Sequence, residues 1–360
     1  MIVTEYEKSP PGVSGMALSC SGSGINALVG FNDTRIAEKR QDGFSEGQEL
    51  KKRFEPKKAD SLRLSASYSR LGFSVRSRRV SDCGSFLSFR HEVFADGCVS
   101  DRGQLYQANF CRDRLCPMCS WRRSLKLFGQ VSKVIDRIKD DYRFLFLTLT
   151  IPNCEPDELA SCLDSLFVSW RRFSRMKSFK TVVKGYFRVL EVTRNNSANT
   201  YHPHFHVILA VSRSYNRRFN YYIPHASWLE MWQNACRDPS ISQVNIKFCK
   251  VGSDGSIASS VAEVAKYSVK SSDFLSDDIC LTDQIVSDLQ ALSGHRLAQF
   301  GGIFKSVHHD LNFDDFENGD LVHVSDDDIN PLVSYLILRY GWSAGVYKLS
   351  RAEFISVGGA

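Results

Sequence analysis

Between Trp121 and Asp273 the spacing of apolar residues changes repeatedly, and each change marks an element. A basic stretch to about Lys139 repeats at helical spacing, and Arg143 to Ile151 then clusters apolar residues as a strand does. Asp157 to about Met176 returns to helical period, Gly185 to Thr193 and His202 to Ala210 read as strands, and Ser227 to Cys236 and Ile257 to Lys270 read as helices. The six residues from Arg194 to Asn199 are too few and too polar for a helical crossover, so the strands around them predict an antiparallel hairpin. The implied class is α+β, a mainly antiparallel sheet with helices packed on one face.

The flanks read differently. Ser85 to Phe94 and Gln104 to Phe110 predict two further strands. Residues 1–75 are rich in Ser, Gly, Lys and Glu, carry Pro10-Pro11 and hold no sustained apolar period, which predicts a largely disordered segment with a helical patch near Arg35 to Lys52. Beyond the central region the pattern predicts a helix near Leu281 to Leu292, an acidic loop, and a last helix near Pro331 to Tyr340. Asp310 to Asp328 holds eight acids and no Lys or Arg, so the net charge of +6 conceals an imbalance: elsewhere 46 bases face 32 acids once those eight of the 40 are set aside. Such a surplus suits a polyanionic partner, nucleic acid first. No run approaches the roughly 20 apolar residues that cross a bilayer, and the start MIVTEYEKSPPG lacks a basic stretch followed by an apolar one, so a cytoplasmic protein is expected. Eleven cysteines diluted in 360 residues point to metal binding or buried thiols rather than a disulfide framework.

Three constellations carry chemistry. In Tyr201-His202-Pro203-His204-Phe205-His206-Val207-Ile208-Leu209, strand alternation sends Phe205, Val207 and Leu209 to the core and projects His204 and His206 from the other face. Two converging imidazoles suit a divalent cation, and Glu191 on the preceding strand, costly there without a partner, is the expected third ligand. On the helix from Ile257, Glu263, Tyr267 and Lys270 share one face, so a phenol, an acid and a base lie side by side; a salt-bridged amphipathic helix would explain the same spacing. A phenol is a poor nucleophile until a cation or base lowers its proton affinity, which a metal at the histidines would do. Lys270 adds positive charge for a phenolate or a phosphotyrosine. Finally, Cys111, Cys116 and Cys119 wrap a turn suited to tetrahedral zinc, with Cys83 expected as fourth ligand and Cys98 and His91 as competitors. Arg114, Arg122, Arg123 and Lys126, in and just after that turn, would present a cationic edge to DNA phosphates.

Together, in this order, these motifs resemble the plasmid rolling-circle replication initiators of the HUH endonuclease superfamily, in the branch with a Cys-rich element before the nuclease motifs. The likeness spans about Val80 to Val324 and includes the strand Phe146 to Asn153 and the stretch Gly301-Gly302-Ile303-Phe304-Lys305. It implies an HUH-type sheet, Mg²⁺ or Mn²⁺ at His204 and His206, and Tyr267 as the nucleophile that nicks the origin strand and stays on its 5′ phosphate. Glu263 stands where phage-type relatives carry a second tyrosine, which implies a general base for water at termination. The implied partners are double-strand origin DNA offering a hairpin or single-stranded nick site, then a host helicase, single-strand binding protein and polymerase in a bacterial cytoplasm. The implied partition is a disordered segment 1–75, a zinc-binding and DNA-docking module 76–125, the nuclease 126–275, and an extension 276–360 with the acidic loop. A single-tyrosine transposase, a relaxase, or a zinc-dependent DNA-binding regulator without catalysis are the competing readings.

Overall fold

The computed structural model describes residues 50–94, 97–100, 103–216, 218, 221–252, 257–265, 269–323 and 334–356. The chain order is α1 (Glu55–Arg70), α2 (Ser74–Asp82), β1 (Phe86–Val93), β2 (Gln104–Ala108), α3 (Pro117–Ile138), β3 (Tyr142–Thr150), α4 (Leu159–Phe173), α5 (Lys177–Val182), β4 (Val183–Asn195) and β5 (Thr200–Ser212). There follow α6 (His225–Cys236), β6 (Val244–Phe248), α7 (Ala258–Val264), α8 (Ile279–Asp288), β7 (Ala298–Gly302), α9 (Ile303–Asp310), β8 (Ser334–Ser343) and β9 (Val346–Ile355). The strands form two wholly antiparallel sheets, one ordered β6-β3-β5-β4-β7 and the other β2-β1-β8-β9.

The β4–β5 hairpin is the spine of the larger sheet, and its turn is built as the polar linker suggests. Asn195 Oδ1 accepts the Ser197 and Ala198 amides, and Asn199 takes the left-handed conformation (φ 52°) that short polar side chains tolerate. Along β5 the odd positions Phe205, Val207, Leu209 and Val211 enter one core with Leu163, Leu166, Trp170 and Phe173 of α4 and Trp228 and Trp232 of α6. The even positions Ile208 and Ala210 enter a second core with Val131, Val134 and Ile135 of α3, Val261 and Val264 of α7, and Phe304 of α9. Helices therefore cover both faces of this sheet, not one. The unbroken apolar run Val207 to Val211 is what a strand buried on both sides requires. Only the first half of β5 departs from it, and there the even positions are His204 and His206.

Two further expectations give way. Glu55–Arg70 lies within the segment expected to be disordered but is helical, and the residues it buries are chiefly Lys58, Ser61, Leu64, Ser65, Ser67 and Tyr68. Apart from Leu64 and Tyr68 this face is made of serines and a lysine, so it carries little apolar period and composition misses it. The stretch expected as a last helix is the strand β8, whose Tyr335, Leu336, Ile337 and Leu338 pack between β1 and β9. Ala344 and Gly345, both at positive φ, close β8 onto β9 in a tight two-residue hairpin, and this pair completes the sheet begun by β1 and β2. Residues from the two ends of the chain thus share one layer.

The Gly301-Gly302 pair has a packing reason. Gly302 sits at φ 57° where β7 turns into α9, and a Cβ there would lie 2.3 Å from the Lys184 carbonyl oxygen on β4.

Candidate active site and metal centres

Register puts the acid and the histidines together. Glu191 on β4 pairs directly with His204 on β5, while Thr148 and Thr150 on β3 pair with His206 and His204 from the other side. His206 Nε2 lies 2.8 Å and His204 Nε2 3.4 Å from the same oxygen, Glu191 Oε2. The ligand atoms of all three residues lie within 4.8 Å of one another. The imidazoles are held for this by their other nitrogens: His204 Nδ1 is 3.0 Å from the His202 carbonyl oxygen, to which it donates, and His206 Nδ1 is 3.2 Å from Thr148 Oγ1. With each Nδ1 engaged, each Nε2 is turned toward Glu191 in the site, the arrangement that orients metal-bound histidines. The side chains of His204, His206 and Glu191 retain 9, 12 and 14% exposure, so the cluster is largely enclosed. Burial opposes ionisation of Glu191, but hydrogen bonds and charge from the two histidines outweigh it and hold the carboxyl well below the usual range. An ionised carboxylate and two imidazoles fit a divalent cation of the Mg²⁺ or Mn²⁺ kind.

α7 packs on this same face of the sheet, through Val261 and Val264 against the core of Phe146, Val189 and Ile208. It carries Glu263, half-buried, at its last turn. Tyr267 itself lies outside the described residues, as do Lys266 and Ser268. Lys270 does not continue the helical face expected of it: it is exposed and extended (φ −82°, ψ 148°) and leads into a short turn at Ser271–Asp273. α7 ends at Val264, with Ala265 as its cap.

The sulfurs of Cys83, Cys111, Cys116 and Cys119 come together from the end of α2, the turn after β2 and the start of α3. Cys83 to Cys119, Cys111 to Cys119 and Cys116 to Cys83 are each 3.6 Å apart. A tetrahedron with zinc–sulfur bonds of about 2.3 Å has edges of about 3.8 Å, so the spacing is that of a tetrathiolate site. Pro117 at the first position of α3, where its missing N–H costs nothing, starts the helix that delivers Cys119. Backbone amides of Cys111, Arg112 and Asp113 donate to sulfurs of Cys83, Cys119 and Cys111, at 3.2 to 3.4 Å. Burial alone would raise the Cys116 thiol, but hydrogen bonds from the other three cysteines and Ser61 pull it well below its ordinary value. His91 and Cys98 are not in the cluster.

Sequence reasoning missed what stands behind both sites. Lys58, 1% exposed, sends its ammonium from α1 under the cysteines, donating to the carbonyls of Ser81 (2.5 Å) and Cys83 (2.8 Å). Burial lowers its proton affinity, and the neighbouring Cys83 and Cys116 partly restore it. Thr148 was legible as a polar position of period two in Phe146 to Thr150; Lys58, in a segment without pattern, was not.

The basic residues expected to meet DNA are used inside the protein. Arg122, Arg123 and Lys126 are buried, and Arg114 is partly so. Arg122 donates to the carbonyls of Leu321 and Val322, Arg123 to those of Glu317, Asp113 and Arg112, and Lys126 to Asp314 Oδ2 (2.5 Å) and the Asp320 carbonyl. Arg114 donates to the carbonyls of Leu292 and His295 and lies 3.7 Å from Glu317. The acidic segment, as far as His323, is thereby in part accounted for: it folds onto α3 and supplies acceptors to Arg122, Arg123 and Lys126. Arg122, Arg123 and Lys126 therefore turn their charge inward rather than presenting the expected cationic edge to solvent, while the Arg114 side chain stays 34% exposed.

The family model described as replication protein matches residues 102–348. A Protein rep of Bacillus amyloliquefaciens is 36% identical over 286 residues, covering 74% of this chain and 80% of the relative. Those of Lactiplantibacillus plantarum and Streptococcus pneumoniae are 35% and 37% identical, covering 76% and 74% of this chain and 86% and 82% of theirs. No solved structure matches. Among the described residues no helix is long and apolar enough to cross a membrane.

Proposed function

Since the chain belongs to the replication protein family and is an initiator of plasmid replication, we propose that it opens rolling-circle replication by nicking one origin strand through Tyr267. The observation that carries this reading is the convergence of His204 Nε2 and His206 Nε2 on Glu191 Oε2, on the face of the sheet where α7 lies. A divalent cation, Mg²⁺ or Mn²⁺, held there would offset the charge that develops on a scissile phosphate.

The phenolic oxygen of Tyr267 attacks the phosphorus in line, forming the Tyr–O–P bond as the P–O3′ bond breaks. The 3′ oxygen leaves as a hydroxyl from which a polymerase extends, and the 5′ phosphate remains on the enzyme. Holding nucleophile and phosphate in one geometry supplies much of the rate. After one round, Glu263 serves as general base for the water that cleaves the regenerated site to a 3′ hydroxyl and a 5′ phosphate; that hydroxyl then attacks the phosphotyrosine, breaking the Tyr–O–P bond and closing the displaced circle as the phenol takes back a proton. Lys270 lies three residues beyond Tyr267, on an exposed turn from which its charge can reach phosphate. Zinc on the four cysteines ties α2, β2 and α3 together, and origin DNA, a host helicase, a single-strand binding protein and a polymerase complete the cycle.

The test uses the origin strand labelled at its 5′-phosphate side. In Mn²⁺ the protein should form a denaturant-stable adduct that chelator prevents. Tyr267→Phe should abolish it, and Glu263→Gln should keep nicking while impairing release. An adduct formed by the Phe variant would refute the assignment of the nucleophile.

A further inference from the structure

β6 is an edge strand, and two adjoining cavities of about 680 and 400 Å³ lie beside it, sharing Tyr222 and Ile223 as a common wall. The larger is lined by the cations Arg143 and Arg218, the smaller by Lys177, and among the described residues no carboxylate lines either. Their aromatic groups are unusual for a plain surface. Phe248 is 41% and Tyr221 64% exposed, and the Arg143 guanidinium lies 4.3 Å over the Phe248 ring. Tyr215 and Tyr222 face each other at 5.3 Å and 35°. The walls are fixed from within: the Ile223 amide donates to the Tyr215 hydroxyl (3.2 Å), and Arg143 Nη1 donates to the Tyr215 carbonyl (3.3 Å).

Position links this trough to the candidate active site. β6 stands two strands from β5, about 10 Å at ordinary strand spacing. Alternation turns Phe248 toward the trough and Lys247 toward the histidine face, where its ammonium sits 5.3 Å from the Phe146 ring, itself 5.4 Å from His206. A chain leaving the histidines would pass Phe146 and Lys247, cross the sheet edge, and meet the Phe248 ring on the far side.

We propose that the trough stacks unpaired bases of the origin strand flanking the nick, with the faces of Phe248 and Tyr222 as platforms, Arg143 and Lys177 following the phosphates within it, and Lys247 meeting the strand on the histidine side of the sheet edge. Ring faces with interleaved cations are the means by which proteins hold single strands without reading sequence. Duplex DNA, whose bases are already stacked, has nothing to offer these rings. The site would therefore favour an extruded or melted origin over a closed one. This rests on the nicking reading for the identity of the strand, but not for its test.

The test is equilibrium binding of fluorescein-labelled dT12 to the full chain without divalent metal, read by anisotropy. Phe248→Ala and Tyr222→Ala should each weaken binding by at least about fivefold, and Phe248→Trp should preserve it. Phe248→Leu, which keeps apolar bulk without a π face, should behave as the Ala variant while melting like the parent. Parental dT12 affinity in the Leu variant, or displacement of dT12 by a 12-base-pair duplex as effective as by unlabelled dT12, would overturn the proposal. Adduct formation on the labelled origin in Mn²⁺ is scored separately. Ring-dependent dT12 binding without adduct removes only the nicking reading, and adduct without ring dependence removes only this one.

Discussion

Replacing Lys58 by Met tests how the amino-terminal helix supports the cysteine site. Four thiolates around a divalent ion carry a net charge of −2, and the Lys58 ammonium is buried beside them, with carbonyls of Ser81 and Cys83 as its acceptors. Met fills similar volume but offers no donor and no charge. Each buried carbonyl left without its donor costs about 1–3 kcal/mol, and removing one member of a buried charge constellation costs about 3–5 kcal/mol in all, because Met also removes the desolvation burden of the ammonium. As the site forms only in the folded chain, that loss falls on metal binding and stability together, and about 4 kcal/mol corresponds to roughly a thousandfold in zinc affinity. Competition against a chromogenic zinc chelator under native conditions would read the affinity, and a thermal melt the stability, with Lys52→Met on the exposed preceding turn as control. Should Lys58→Met hold zinc against the same chelator concentration and melt with the parent, the ammonium is a bystander and the electrostatic argument is wrong.

Thr148→Val removes the oxygen beside His206 Nδ1 while keeping the strand's shape, so the Mn²⁺ concentration needed for half-maximal nicking should rise about tenfold or more with little change in melting. An unchanged Mn²⁺ requirement would mean that packing against Phe146 alone orients the ring. Arg122→Ala strands the carbonyls of Leu321 and Val322 and should destabilise by about 2–4 kcal/mol, while the salt dependence of DNA binding keeps its slope. A slope reduced by about one phosphate contact, with stability intact, would return Arg122 to the DNA surface. Gly302→Ala places a methyl group against the Lys184 carbonyl at a positive φ and should lower the melting temperature by several degrees; a neutral result would mean that the turn into α9 can shift away from β4.

Local pattern was enough wherever the physics is local. Strand alternation put His204 and His206 on one face, the short polar linker dictated an antiparallel partner, and with that partner Glu191 falls opposite His204. Cysteine spacing likewise announced a cluster of thiols, because three cysteines within nine residues need little help from the rest of the fold to come together. The failures share a different cause. Whether a charged side chain is exposed depends on which distant segment covers it, so Arg122, Arg123 and Lys126 read as a DNA-facing edge until the acidic segment nearly two hundred residues away is seen lying on them. The strand at Ser334–Ser343 is set by a partner, β1, some 250 positions earlier, and nothing in its own sequence announces that pairing. α1 is held by hydrogen bonds from Lys58 and serines rather than by an apolar stripe, so periodicity had nothing to detect. The amino-acid sequence by itself determined that two histidines and a carboxylate share one face, and the hairpin that aligns them, since those follow from backbone period and turn chemistry. Only the tertiary structure decided which charges are spent inside the protein and which face solvent, since burial is a property of what packs across from a residue and not of its neighbours along the chain.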